Sequence, residues 1–440
     1  MTVQDSSQTV LRLGIAGLGT VGAGVIRLLT DNADLITARA GRRIEVTAVA
    51  ARDRSRDRGV KLDHLRWYED AADLAADPEV DVVVELIGGS EGVARTLVTD
   101  ALRAGRPVVT ANKALVAVYG DELAALSEKH DAPLLFEAAV AGGIPAIKTV
   151  REGLAADRLT RVGGILNGTC NYILTTMRET GRDFSDVLAE AQALGYAEAD
   201  PSTDVDGIDA AHKLSILAAL AFGRFVDFDS LTVQGIGTVS ALDFAFARDL
   251  GYRIKLLGVA QQSADGIEAR VSPCLIAENL PIAQVDGVFN AVLAEGNFVG
   301  NLMLEGRGAG AGPTAVAVCA DIIDIARGAT APIWGVRTAA HREPLRCLPP
   351  EHSEGAFYLR LTVEDKAGVL ADITAILREY GISLSRMLQT PAEPDGEKNV
   401  VPLVLMTHRT TGGAMQNAVS RIAALPVVYE QPNLMRVEEG

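Results

Sequence analysis

Apolar and polar positions alternate with two different periods along the first third of the chain. In TVLRLGIAGLGTVGAGVIRLL, Val10–Ala16 has the pattern of a short buried strand, and beyond a glycine-rich turn the apolar residues recur at helical spacing. RRIEVTAVAAR (Arg42–Arg52) predicts a second strand. VDVVVELIGG (Val80–Gly89) is apolar throughout, as a parallel strand buried on both faces would be, and the helical GVARTLVTDALRAG follows it. RPVVTANKALV predicts a strand that delivers Asn112 and Lys113 at its C-terminal end, and APLLFEAAVAGGIP one more strand with a glycine-rich exit. Such alternation predicts an α/β domain with a doubly wound parallel sheet over residues 1–146. Ligands of such sheets sit beyond the carboxyl ends of the strands, so Lys113 lies at a functional address; apolar flanks on both sides weigh against a merely exposed loop lysine.

The pattern changes from about residue 147. RVGGILNGTCNYILTTM predicts a strand, a small-residue turn and a helix start; DAAHKLSILAALAFG and GPTAVAVCADIIDIARG are apolar helices. Residues 147–340 therefore form a mixed α+β domain whose last helix is placed to return to the first domain. LPPEHSEGA (Leu348–Ala356) has linker composition. Over residues 356–437 the order strand (FYLRLTVED), helix (AGVLADITAILREYG), strand (ISLSRMLQT), strand (NVVPLVLMTHR), helix (TGGAMQNAVSRIAAL), strand (PVVYEQPNLMRVE) is the ferredoxin-like βαββαβ unit.

Composition narrows the function. A chain of 440 residues exceeds one core, and 48% hydrophobic with 22% charged residues is globular. A net charge of −16 argues against a nucleic-acid footprint, which needs a basic patch. Cys170, Cys274, Cys319 and Cys347 are scattered without a CxxC pair, which fits a reducing compartment. MTVQDSSQTV lacks the basic and apolar regions of a signal peptide, and no apolar run approaches membrane-spanning length; the expectation is a cytoplasmic protein without membrane partners.

Two stretches carry candidate chemistry. Gly17, Gly19 and Gly22, with Leu18, Thr20 and Val21 between them, form GxGxxG between a strand and a helix. The first glycine permits the tight turn, the second lets backbone approach a pyrophosphate, and the third lets helix and strand pack closely. This is a dinucleotide site in a Rossmann-type domain; a ligand-free glycine turn is the bland alternative. The second strand ends in Ala50, Ala51 and Arg52, where an NAD enzyme usually has an acid. Arg52, with Lys61 as a second cation, suits the 2′-phosphate of NADP, while Asp53 keeps NAD open. The other stretch is GYAEADPSTDVDGIDAAHK (Gly195–Lys213), five carboxylates followed by a lysine. An EF-hand register that puts Gly207 at position 6 puts Lys213 at position 12, where an ammonium cannot ligate calcium. Asp209 and Lys213 are spaced i, i+4 on one helix face.

Taken together, these residues resemble homoserine dehydrogenase over nearly the whole chain. The resemblance rests on the GxGxxG strand followed by TANKAL (Thr110–Leu115), on GILNGTCNYIL (Gly164–Leu174), and on AQALGYAEADPSTDVDGIDAAHK (Ala191–Lys213), which has the family's fixed positions Asp200, Pro201, Asp204, Gly207, Asp209 and Lys213. The C-terminal module resembles an ACT domain, with DKAGVL (Asp365–Leu370) at its first strand–helix turn. The resemblance implies NAD(P)-dependent interconversion of L-aspartate 4-semialdehyde and L-homoserine on the route to threonine, isoleucine and methionine. It implies Lys213 as the acid–base, Glu198 as a substrate ligand, Lys113 beside nicotinamide and substrate, and Gly308 and Gly310 in GRGAGAGPTA as a second cofactor contact. Main-chain carbonyls of Glu137, Val140, Gly142 and Ile144 match a sodium site. Threonine is the pathway-logical ACT effector, and a homodimer or homotetramer is the expected assembly.

The residues suit that chemistry. Aldehyde reduction needs a hydride on carbon and a proton on oxygen; a lysine ammonium polarises the carbonyl and donates as alkoxide develops. Lys213 and Lys113 are both candidates. Oxidation of the alcohol needs a deprotonated lysine and is favoured by higher pH. Carboxylates such as Glu198 would hold the substrate's α-ammonium group, Asp209 would orient Lys213, and Asp204 would bind the amino-acid end or brace the loop, while Asp200 and Asp206 serve the turn and the helix start. The rival readings are a related amino-acid or semialdehyde dehydrogenase, which should lack the Asp200–Lys213 spacing, and a non-catalytic NAD(P)/amino-acid sensor, which would bind cofactor without turnover.

Overall fold

Leu13, Ile15 and Ala16 lose all contact with solvent because strand β1 (Leu11–Ala16) lies inside a parallel sheet, with β2 (Ile44–Ala50) on one side and β4 (Val82–Glu85) on the other. The computed structural model describes residues 10–263, 266–328, 331–338, 343–389 and 400–438. The N-terminal MTVQDSSQT, on which the reading of a missing signal peptide depends, lies outside the described residues. The chain divides into two compact units. One takes Met1–Leu166, His212–Asp229 and Asn290–Leu345, the other Asn167–Ala211, Ser230–Phe289 and Arg346–Gly440.

In the first unit the six-stranded sheet runs β3-β2-β1-β4-β5-β6, with β3 at Arg66–Tyr68, β5 at Val108–Thr110 and β6 at Leu134–Leu135. All five neighbouring strand pairs are parallel, as a doubly wound fold requires. The helix Ala311–Ala326 returns to this core: Ala315, Val318, Cys319 and Ile322 pack with Val25, Ile26 and Leu29 of the helix Thr20–Asp31. The strand expected at the start of Ala132–Pro145, ahead of the glycine-rich exit, is only two residues long. Beyond Leu135 the chain turns into a 3-10 helix at Glu137–Ala139, because the Glu137 carboxylate folds back to accept the amides of Ile147 and Lys148, both at 2.9 Å. The unit also contains β7 (Leu159–Ile165) paired antiparallel with β11 (Phe289–Gly296), which neighbours β12 (Gly300–Arg307).

In the second unit β9 (Tyr252–Ser263) and β10 (Gly266–Ala277) form a long hairpin, with β8 (Thr232–Val233) beside β10. The C-terminal module has β13 (Glu354–Glu364), β14 (Leu384–Gln389), β15 (Val400–Thr407), the short β16 (Thr410–Thr411) and β17 (Asn433–Glu438), with helices Val369–Glu379 and Gly412–Ala423. Its order β17-β13-β15-β14 is the ferredoxin-like arrangement, closed by a core of Leu359, Leu361, Ile373, Leu403 and Met415. The stretch expected as a linker, Leu348–Ala356, is ordered structure instead. Leu348 donates its amide to Ile267, Pro350–His352 is a 3-10 turn, and Glu354 already begins β13. The prolines and charges that suggested a linker serve the turn, and strand alternation starts three residues earlier than the Phe357 that marked it.

Candidate active site

The glycine turn after β1 has the geometry of a phosphate cradle. Gly17 is left-handed at φ +93, donates its amide to Ala50, and a Cβ there would fall 2.5 Å from the Leu86 carbonyl. A Cβ on Gly22 would fall 2.1 Å from the Gly17 carbonyl. Gly19 differs: nothing lies within 4 Å of its missing Cβ. It is the N-cap of the helix Thr20–Asp31, and no side chain caps that helix, so its first-turn amides and dipole are presented to an anion. Leu18 and Gly22 are buried here, while Thr20 is exposed and Val21 half-buried.

Polar side chains brace the strand ends around this turn. Glu85, fully buried at the end of β4, accepts the amides of Ile87 and Gly88 and the Thr110 hydroxyl. Thr110 in turn accepts the Asn112 amide. Asn112 caps the helix Lys113–His130 by accepting from Leu115 and donates to the Gly89 carbonyl at 2.7 Å. Lys113 is thereby fixed as the first residue of that helix, half-buried beyond the end of β5.

Arg52 and Asp53 follow β2 on the exposed loop, where Asp53 accepts from both the amide and hydroxyl of Ser55; the Ser55 hydroxyl, then its amide, hold the carboxyl below its usual range. Lys61 lines a hollow with Arg27, Thr30, Asp34 and His64. A cation that sequence reasoning did not single out, Arg58, reaches the glycine turn: its Nε donates to the Leu18 carbonyl at 3.1 Å, and its guanidinium lies 5.4 Å from the centre of the Trp67 ring. Its only signal was a place in the arginine-rich run after β2.

Around Glu137 the loop to Ile144 contains two consecutive left-handed residues, Ala141 at φ +55 and Gly142 at φ +51. A Cβ on Gly142 would meet the Gly308 carbonyl at 2.4 Å. Val140 and Ile144 are buried, and Glu137 is 2% exposed. Burial first, then the negative charge of Asp321, push the Glu137 carboxyl up to about 7; burial likewise pushes Asp321 up to about 6. Lys148 faces Asp321 and Asp324.

Lys213 belongs to the helix Ile208–Phe222, with Asp209 one turn before it. In the first unit the Lys213 ammonium, 9% exposed, donates to the Leu166 carbonyl at 2.7 Å, just past the end of β7. In the second unit Asn167 caps the helix Gly168–Thr180 by accepting from Cys170, and its Nδ2 donates to Asp204 at 2.7 Å and to Asp209 at 2.8 Å. One carboxamide thus holds two of the sequence-derived candidates. It lies in the quoted GILNGTCNYIL, yet only the fold reveals what it touches. Glu198 is exposed, and the Gln192 carboxamide donates to its carbonyl. Asp200 accepts from Ser202, whose side chain and then amide hold it below the usual range, and Asp206 is exposed at the C-terminal cap of Ser202–Val205. Gly310, at φ +121, is the N-cap of Ala311–Ala326, again without a side-chain cap. Among the described residues no group of three or more His, Cys, Asp or Glu is placed to hold a metal ion, and no helix is long and apolar enough to cross a membrane.

A dinucleotide cradle in a doubly wound sheet, with a buried lysine beyond a strand end, defines an NAD(P)-dependent oxidoreductase. Comparison with known proteins gives the family. Residues 17–137 match the family model "Homoserine dehydrogenase, NAD binding domain", residues 145–323 the model "Homoserine dehydrogenase", and residues 357–427 the model "ACT domain". The chain is 47% identical to a homoserine dehydrogenase of Pseudomonas aeruginosa, over 98% of this chain and 99% of that one. The crystal structure of a homoserine dehydrogenase from Thiobacillus denitrificans superimposes with a TM-score of 0.91 at 45% identity, covering 98% of each chain. A hyperthermophilic archaeal homoserine dehydrogenase in complex with NADPH matches with a TM-score of 0.63 at 26% identity, over 73% of this chain and 98% of that one. The chain belongs to the homoserine dehydrogenase family. Its reaction is the NAD(P)-dependent interconversion of L-aspartate 4-semialdehyde and L-homoserine.

Proposed function

We propose that Lys213 is the acid–base of this reaction, with Lys113 beside nicotinamide and substrate, Glu198 on the substrate's α-ammonium group, and Asp204 and Asp209 as the acids that order the substrate end and the lysine. The observation that carries the reading is the buried Lys213 ammonium held at the Leu166 carbonyl. A primary ammonium carries three donor protons, which is what an acid aimed at a reacting oxygen needs. The bound nicotinamide supplies or accepts the hydride. Lys213 then polarises the aldehyde oxygen and gives it a proton in reduction; in oxidation a neutral lysine takes the hydroxyl proton.

The uncapped N-termini at Gly19 and Gly310 support a pyrophosphate held by Gly17, Leu18, Gly19, Thr20, Val21, Gly22 and Gly310. Arg52 and Lys61 favour NADP over NAD, and Arg58 adds a cation at the same turn. The dry loop of main-chain carbonyls at Glu137, Val140, Gly142 and Ile144 suits sodium, because its oxygens are uncharged and the Glu137 carboxylate is spent on Ile147 and Lys148. We extend the proposal to functional divisions at residues 1–146, 147–340 and 356–437, to threonine as effector at the ACT domain, to a homodimer or homotetramer and to a cytoplasmic location.

The test is NADPH consumption on addition of L-aspartate 4-semialdehyde, with NADH alongside. Lys213→Ala should lower turnover by about 10²–10⁴-fold while NADPH binding, read by fluorescence, is kept. Undiminished turnover in that variant would remove Lys213 from the chemistry, and faster use of NADH would overturn the NADP preference.

A further inference from the structure

Asn290 is 1% exposed, yet neither its Oδ1 nor its Nδ2 has a hydrogen-bond partner among the described residues. Burying an unsatisfied carboxamide is costly, so the position calls for a physical reason. Its position is informative. Ala291 pairs with Ile165 in the antiparallel β7–β11 ladder, so Asn290 is one step beyond, beside Leu166, whose carbonyl anchors Lys213. Its other neighbour is Gly308, where a Cβ would fall 2.2 Å from the Asn290 Cγ.

Gly308 lies in the short turn between β12 and the helix Ala311–Ala326, in a run with glycine at positions 306, 308, 310 and 312. This segment touches the other parts of the site in the same unit. The Gly308 carbonyl lies over Gly142, and Arg307 accepts the Gly143 amide at 3.1 Å. Two residues beyond Gly308 is the uncapped N-terminus at Gly310, and the Ala311 carbonyl lies against Gly24 of the helix that follows the dinucleotide turn.

We infer that Asn290 is a positioning residue: its carboxamide becomes hydrogen-bonded to the main chain of Gly308–Gly310 only when a dinucleotide draws that turn into its bound position. The inference rests on the cofactor reading of Gly17–Gly22 and Gly310. It ties cofactor binding to the strand end that anchors Lys213. In the free protein the carboxamide contributes no hydrogen bond to stability; in the complex it does.

The experiment compares wild type, Asn290→Leu and Asn290→Ala by the thermal midpoint of the free protein and by NADPH affinity from fluorescence titration. Asn290→Leu should leave the free-protein midpoint unchanged or raise it, weaken NADPH binding by about tenfold, and shrink the stabilisation given by saturating NADPH. A lower free-protein midpoint with unchanged NADPH affinity would show a structural amide and overturn the inference. If leucine overfills the site and the variant does not fold, Asn290→Ala decides by affinity alone: unchanged affinity overturns the inference, and about tenfold weaker binding supports it. Failure of wild type to bind NADPH would instead remove the cofactor reading beneath it.

Discussion

Asn167 uses a single carboxamide for two tasks, capping a helix through its oxygen and joining Asp204 to Asp209 through its nitrogen. Without that donor each carboxylate loses a hydrogen bond in a partly buried space. Asn167→Ala should therefore cost about 2–4 kcal/mol, of which the lost cap is about 1, and should lower kcat as well. Asn167→Ser can restore the cap but cannot reach both acids. Thermal denaturation should then show part of the stability regained while kcat stays low; recovery of both together would mean that the cap alone matters. Glu137 has a different signature. Its carboxyl titrates near 4.5 when unfolded and about 7 when folded, because burial and Asp321 oppose its charge. The native state holds this proton more tightly, so the group's penalty is absent below the unfolded value, grows as pH rises and is complete above about 7. Stability should fall over that window by on the order of 3 kcal/mol from this group. Glu137→Gln should flatten the fall, leaving the smaller slope of Asp321, as midpoints measured from pH 4.5 to 7.5 would reveal. An unchanged slope would place the titration elsewhere.

At the scale of elements, the strand–turn–helix that opens the chain separates folding from binding. Gly22→Ala drives a methyl into the Gly17 carbonyl and should destabilise the free protein by about 1–3 kcal/mol, the usual cost of overpacking. Gly19→Ala meets nothing within 4 Å and has φ −75, so the free protein should keep its midpoint. NADPH affinity should still fall at least tenfold, because a side chain then stands where backbone must approach pyrophosphate. Unchanged affinity in Gly19→Ala would move the phosphates away from this turn. The same element shows what could be read before the fold was known. Strict periodicity and three spaced glycines specify a strand, a turn and a helix locally, and the apolar Val82–Val84 run specifies a buried parallel strand. The ferredoxin-like order was legible for the same reason. The two-residue β6 was not, since the Glu137 side chain ends it through bonds to residues ten and eleven positions on. The bridging by Asn167, the reach of Arg58 to Leu18 and the unpaired Asn290 were equally hidden, because each depends on partners that only the tertiary fold supplies.

On the scale of the whole molecule, the ACT module is part of a larger sheet in its unit. β17 pairs in parallel with β10, aligning Cys274 with Arg436 and Ile276 with Glu438, and a 3-10 turn at Pro350–His352 leads into β13. Buried charges secure the join: Arg270 pairs with Glu438. Asp243 secures it further. This residue, 0% exposed, closes the capping box of Ala241–Leu250 with Ser240 and accepts from Tyr358, Arg360 and Asn433 of the ACT strands. An effector that shifts β13 or β17 would therefore act directly on the β9–β10 hairpin and on that helix, through packed strands and charge pairs. The arrangement also governs unfolding. Asp243→Asn keeps the shape but leaves Arg360, 11% exposed, without its buried counter-charge, at a cost of about 3–5 kcal/mol. Because the module shares its sheet with the hairpin, the unfolding of this unit should move down in temperature as one, with basal activity lost along the same curve. An ACT domain merely tethered to the enzyme would instead melt separately at lower temperature and leave dehydrogenase turnover intact. Calorimetry of the variant with turnover assayed on the same heated samples distinguishes the two.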